Sequence, residues 1–374
     1  MTQIPIPQTD PRSGYLAQQE EIDAAVKRVL ASGWYILGPE AEAFETAFAH
    51  WLGAAHAIGT GSGTDAIELA LRASGIGAGD LVFTVSHTAV ASVAAVERAG
   101  AIPVLVDVEP GGFTMDPASL EAALRRPPAG RPAAVMPVHL YGEPADLAGI
   151  GEIARAYGLK LIEDCAQSHG AAWRGRTTGT IGSLGCFSFY PTKNLGALGD
   201  AGIVVTGDPA LATALREIRE YGWRDRYVSA VAGINTRLDP IQAAILAAKL
   251  PRLHPDNARR QEIAARYDEG LAGLPVTLPH RRAATTHVFH QYVIRTASRD
   301  PLREHLRAAA IGTGIHYPVP VHQQPAYREV ATAPGGLGET ERVARAILSL
   351  PMYPQLADAA VDRVIAEIRR FFTP

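Results

Sequence analysis

Hydrophobic and polar positions along the first 250 residues switch repeatedly between two periods. Short β-branched runs, each bounded by Gly, Pro or Asp, predict strands at residues 81–85, 103–108, 133–139, 160–162, 186–190 and 202–206. Between them, apolar residues recur at helical spacing over 65–73, 89–99, 117–125 and 147–157. This alternation predicts an α/β domain with a mostly parallel sheet. The last two strands are too close in sequence for a helical crossover, so they are expected to pair antiparallel and make the sheet mixed. A helix predicted at 240–250 is stopped by Pro251. An Arg-rich helix at 257–271, a strand at 287–295, a helix at 303–310 and an amphipathic helix at 356–371 follow. The expected division is a large domain over 1–250, with an N-terminal arm, and a smaller C-terminal α/β domain over 251–374.

Composition narrows the function class. Of 374 residues, 47% are hydrophobic and 20% charged, which suits a chain with a sizeable core. Lys and Arg total 35 against 38 Asp and Glu, and no basic block runs long enough to track a phosphate backbone, so nucleic acid is not an expected partner. Neither a secretory leader nor a run of about 20 apolar residues is visible, so no membrane contact is expected and a cytoplasmic location is. Cys165 and Cys186 are too few for a disulfide framework and read as small buried hydrophobes. The four lysines, Lys27, Lys160, Lys193 and Lys249, make the search for a catalytic amine short.

Three segments carry candidate chemistry. Gly59-Thr60-Gly61-Ser62-Gly63-Thr64-Asp65 precedes a helical stretch, and a helix N-terminus lined by small residues is a ready anion site. The run fits neither the dinucleotide fingerprint nor the Walker pattern, and read alone it is equally a turn with a Thr or Asp N-cap. Residues 160–167 end a buried strand on Glu163 and Asp164, at the sheet edge where ligands of open α/β folds collect. Read alone, the pair equally fits an Asp164 that caps the next loop and a Glu163 that faces solvent. In the third segment a strand with alternating aromatics, Phe187-Ser188-Phe189-Tyr190, enters a Pro turn that presents Lys193. A partly desolvated lysine has a lowered pKa and is a nucleophile toward an aldehyde; a lysine on a plain surface turn is the alternative. Together the segments supply an anion cradle, a carboxylate to keep a pyridine nitrogen protonated and an amine for a Schiff base, which is what pyridoxal 5'-phosphate requires.

These segments, with Ser32-Gly33-Trp34-Tyr35-Ile36-Leu37-Gly38-Pro39-Glu40 and Gly233-Ile234-Asn235-Thr236-Arg237-Leu238-Asp239, occur in an order that resembles the DegT/StrS sugar aminotransferases across nearly the whole chain. The resemblance implies a fold-type-I pyridoxal phosphate transferase, active as a homodimer with sites at the subunit interface. It makes Lys193 the coenzyme-bound catalytic lysine and proton shuttle, Asp164 the partner of the pyridine nitrogen, Gln167 a neighbour of the ring hydroxyl, and Ser188, Gly63 and Thr64 the phosphate ligands. Asn235 would reach the phosphate from the second subunit, or else stabilise a local turn. Lysine rather than histidine at position 193 implies transamination instead of removal of a hydroxyl.

One position departs from the family pattern. Where relatives stack an aromatic residue on the ring, this chain reads Ser86-His87-Thr88-Ala89, which leaves His87 either on the coenzyme or on a surface loop. Substrate candidates are Tyr35, Tyr190, His316, Tyr317 and His322. The stretch from Gly314 to Tyr327 resembles members that aminate C3 of a nucleotide-linked keto-deoxysugar, and a metal is not expected. The resemblance implies L-glutamate as amino donor and a nucleotide-diphosphate (dTDP) 3-keto-6-deoxyhexose as acceptor. The competing readings are a 4-keto sugar or cyclitol ketone as acceptor, and a catalytically silent regulator.

Overall fold

A computed structural model describes residues 4–373. Seven strands build most of the central sheet: β1 (His56–Thr60), β2 (Asp80–Val85), β3 (Ile102–Val106), β4 (Arg131–Val135), β5 (Lys160–Asp164), β6 (Leu184–Ser188) and β7 (Gly202–Thr206). Their spatial order is β1-β7-β6-β5-β4-β2-β3, and a short late strand, Ala331–Thr332, completes eight beyond β3. β7 runs antiparallel to both β6 and β1, whereas every other neighbouring pair is parallel, so the sheet is mixed as its spacing predicts. Parallel strands with both faces covered need apolar side chains on both sides, and β2 is buried at all six positions.

On one face Val82, Ala134, Ile162 and Val204 pack beneath the helix Gly63–Ala73. On the other, Leu81, Phe83, Val104 and Val135 meet the helices Pro117–Arg125 and Leu147–Ala156. The period of two on β6 has a direct consequence for the site. Phe187 and Phe189 enter an aromatic cluster with Phe44 and Phe48, at centroid separations of 5.3–5.4 Å and steep interplanar angles, so Ser188 is left on the opposite face.

The C-terminal core gathers Ile263, Tyr267, Tyr292, Leu302, Leu348 and Ile368, and Ile6 joins it from the other end of the chain. The division expected at Pro251 is therefore crossed twice, by Ile6 in one direction and by Ala331–Thr332 in the other. Other boundaries move for local reasons. The strand predicted at 287–295 is confined to Tyr292–Arg295, because residues 287–290 lend their carbonyls to Arg260, Gln261 and Asn194, and Phe289 takes a left-handed φ of 43°. The helix predicted at 303–310 spans Arg299–Ala308. The helices Pro39–Leu52 and Pro209–Ile218 and the edge strands have no counterpart among the predicted elements. No helix among the described residues is long and apolar enough to cross a membrane.

Candidate active site

A cavity of about 270 Å³ opens at the carboxyl edge of β5 and β6, and its wall includes Gly63, Thr64, Asp164, Gln167, Ser188 and Lys193. All three chemical segments thus converge, which is where an open α/β sheet collects a ligand. The anion cradle is built by Ser62, whose hydroxyl accepts from the Asp65 N–H at 3.1 Å and caps the helix. Neither Thr64 nor Asp65 is the cap, so the amides of Gly63 and Thr64 lie in the first turn with no intrahelical acceptor. Ser188 faces the same point, and a Cβ on Gly63 would stand 2.5 Å from that of Ser188. We expect Gly63→Ala to lose coenzyme affinity and about 1–3 kcal/mol of stability through overpacking, read by coenzyme titration and thermal melting.

Asp164 ends β5 at 3% exposure, with Oδ2 accepting from Ser92 Oγ (2.7 Å) and Oδ1 from the Ala166 N–H (3.1 Å). Burial raises its pKa, while the Ser92 and Ala166 hydrogen bonds and then the Lys193 charge act against that rise. Among the described residues it makes no ion pair. A buried carboxylate with only neutral donors fits a cationic pyridine nitrogen well. Glu163, one residue earlier, is fully buried and does not face solvent. Its oxygens accept from the amides of Gly179, Ile181 and Gly182 at 2.7–2.8 Å and from His139 Nε2 at 3.0 Å, and its pKa is lowered despite burial. Because the Ala145 N–H donates to His139 Nδ1 (3.0 Å), the neutral ring carries its proton on Nε2. Cys165 lies close to this pair, but His139 and Glu163 are already committed to hydrogen bonds.

Lys193 is half-buried in the turn after β6, its N–H donating to the Tyr190 carbonyl at 2.8 Å. Desolvation lowers its pKa to about 8, with the Asp164 carboxylate opposing the shift. The amine is a nucleophile only when neutral, so capture of pyridoxal phosphate should quicken as pH rises through about 8 and level off above it, followed by visible absorbance.

Gln167 is oriented without ambiguity. The Tyr141 N–H donates to its Oε1 (2.7 Å), which turns Nε2 toward the Tyr317 hydroxyl (3.2 Å) and makes the amide a donor. Such a donor suits an anionic ring oxygen.

Other candidates are distributed unevenly. Tyr190 lines the cavity, and Tyr317 reaches it through Gln167. His316 meets Ser349 Oγ through Nδ1 at 2.8 Å, and His322 has both ring nitrogens engaged, by Ser86 Oγ (2.7 Å) and Glu341 (3.3 Å). Tyr35 is 52% exposed and donates to the Leu30 carbonyl, and Asn235 is exposed beside Glu220, so neither joins the cavity of its own chain. His87 is neither a surface residue nor part of the wall, where Thr88 and Ala89 stand. Its ring is 1% exposed beside Phe113, Nε2 meets the Tyr141 hydroxyl at 2.9 Å, and burial lowers its pKa to about 4. The sequence reading missed Ser92, Thr88 and Tyr141; Ser92 and Tyr141 act on Asp164 and Gln167, far away in the chain, and Thr88 meets Ser92, contacts that no motif signals.

A desolvated lysine, a buried carboxylate lacking a counter-ion and an amide-lined anion cradle define a pyridoxal phosphate-dependent transferase. The chain belongs to the DegT/DnrJ/EryC1/StrS aminotransferase family, whose model matches residues 17–369. It is 48% identical to the dTDP-3-amino-3,4,6-trideoxy-alpha-D-glucose transaminase of Streptomyces venezuelae, over 98% of this chain and 96% of the relative. It is 47% identical to the erythromycin biosynthesis sensory transduction protein EryC1 of Saccharopolyspora erythraea, over 97% and 99%. Among solved structures, S. venezuelae DesV in complex with a ketimine intermediate superposes with a TM-score of 0.95 at 47% identity, covering 99% of both chains.

Proposed function

We propose that this aminotransferase moves an amino group from L-glutamate to the C3 ketone of a dTDP-linked 3-keto-6-deoxyhexose. The observation that carries the reading is the convergence of Lys193, Asp164 and the Gly63 cradle on one cavity, in a chain nearly half identical from end to end to a transaminase named for a 3-amino sugar. When bound, the coenzyme supplies an electron-withdrawing ring that stabilises negative charge on the carbon bearing nitrogen. Asp164 keeps the ring nitrogen protonated, the amides of Gly63 and Thr64 with Ser188 hold the phosphate, and Gln167 donates to the ring oxygen. The Lys193 amine would take the proton from the nitrogen-bearing carbon of the donor in the first half-reaction and deliver one to C3 of the acceptor in the second. A regulator without turnover, the sense of the EryC1 relative's name, would have no use for a desolvated lysine facing an unpaired carboxylate.

The same reading takes the enzyme as a cytoplasmic homodimer. Trp34, Tyr35 and Ile36 are each more than half exposed, and Tyr227 and Val228 more so, an apolar surface suited to a second copy that would also bring Asn235 to the phosphate. The test is a panel of ketones on dTDP and UDP carriers, with donor amino acids varied and aminated products found by mass spectrometry. The dTDP 3-ketone with glutamate should turn over fastest. Faster amination of a 4-keto sugar or a cyclitol ketone would refute the assigned acceptor.

A further inference from the structure

The turn that presents Lys193 is gripped by the C-terminal part of the chain, and the grip closes on the next residue. Asn194 Nδ2 donates to Asn257 Oδ1 at 2.8 Å and to the Val288 carbonyl at 3.0 Å, which uses both of its N–H groups. Its Oδ1 therefore accepts, and the ring nitrogen 3.1 Å away, His290 Nδ1, must carry the proton. Asn257 is fixed in turn, its Nδ2 donating to the His169 carbonyl at 2.8 Å.

His290 itself is held from two sides. Arg260, from the helix Leu253–Leu271, donates to the carbonyls of Phe289 (3.2 Å) and Met352 (3.2 Å), and Gln261 to that of His287 (3.0 Å). From the sheet side, the Val288 N–H donates to the Gly142 carbonyl and the Gln291 N–H to the Tyr141 carbonyl. Tyr141 is the residue whose N–H orients Gln167, so one clamp serves both the lysine turn and the ring-oxygen donor. His290 is 4% exposed, and burial, then the charges of Lys193 and Arg260 and the neighbouring His316 and His169, hold it well below its ordinary pKa and therefore neutral.

We propose that His290 is a positioning residue for Lys193, acting through its Nδ1–H on Asn194 to fix the turn that aims the amine at the cavity. The inference rests on the transaminase reading and adds a residue that stands outside the cavity wall. A misplacement of about 1 Å at a reacting group costs on the order of 10²-fold in rate, so the effect falls on kcat rather than on binding.

The experiment compares His290→Asn, His290→Gln and His290→Ala in the coenzyme-loaded enzyme. The asparagine amide nitrogen overlays Nδ1 and keeps the donor to Asn194; the glutamine nitrogen overlays Nε2 and loses it. Expected is a kcat for His290→Asn within about 3-fold of wild type, and losses of about 10- to 10²-fold for Gln and Ala with KM for glutamate little changed. The pH midpoint of the coenzyme's visible band should also move in Gln and Ala and not in Asn. Rescue by Gln instead of Asn would assign the role to Nε2 and overturn the proposal, as would three variants that match wild type or that fall together in kcat and melting temperature. A wild-type protein that gains no visible band with pyridoxal phosphate would refute the site reading itself. A normal band with indifferent variants would refute only His290.

Discussion

Lys193→Ala is expected to lower steady-state transamination by about 10⁴-fold or more, the upper end of what one positioned acid–base group contributes, because this side chain is both the covalent anchor and the proton carrier. No other amine can substitute within the cavity. Lys249, whose pKa burial also lowers to about 8, is committed to the Gly196 carbonyl, and Lys27 and Lys160 lie on a helix and at a strand start. The folded state should survive the change, since Lys193 Nζ is in no ion pair among the described residues. Comparison of melting temperature with turnover separates the two effects. A variant that retained more than a few per cent of activity would remove Lys193 from the chemistry.

Asp164→Asn should bind the coenzyme and still lose about 10- to 10³-fold in rate, because an adjacent carboxylate raises a cation's pKa by roughly 1–3 units and an amide does not. The shape of the wall is kept, the Ala166 N–H retains the amide oxygen as acceptor, and Ser92 Oγ, which also meets Thr88 Oγ1, turns to accept from the new amide N–H. A second consequence concerns Lys193, whose lowered pKa is opposed by the Asp164 charge. Removing that charge lowers the amine's pKa further, so the pH at which coenzyme capture levels off should shift below its wild-type position of about 8. Stopped-flow absorbance across pH measures both effects in one series. An unchanged profile with unchanged turnover would show that Asp164 does not face the ring.

The parts of the site legible in sequence are those where local chemistry is written in consecutive residues. Lys193 follows an alternating strand and a Pro turn, Asp164 ends an apolar run, and the glycine run opens a helix, so all three could be placed by period and punctuation. The mixed sheet was legible for the same reason, since the short gap between β6 and β7 forbids a crossover.

Contacts set by long-range packing were not legible. Glu163 is buried because the 179–182 loop folds back to offer three amides, and nothing in Glu-Asp-Cys announces that. His87 is turned from the cavity by its bond to Tyr141, 54 residues away, His322 is held by Ser86, and His316 Nδ1 is bonded to Ser349. Ser62 replaces Thr64 or Asp65 as the cap because its extended backbone, at φ −161° and ψ 169°, places Oγ over the first turn, a choice made by β1 leading into the helix.

The most direct test of the central claim, that Lys193 and Asp164 make this chain a working pyridoxal phosphate aminotransferase, is the visible absorption spectrum of the purified protein before and after L-glutamate, with Lys193→Ala alongside. The expected result is a yellow band that glutamate converts to the pyridoxamine form in the wild type, and that is altered or lost in the variant. A protein that stays colourless with pyridoxal phosphate added, or a band that Lys193→Ala leaves unchanged, would contradict it.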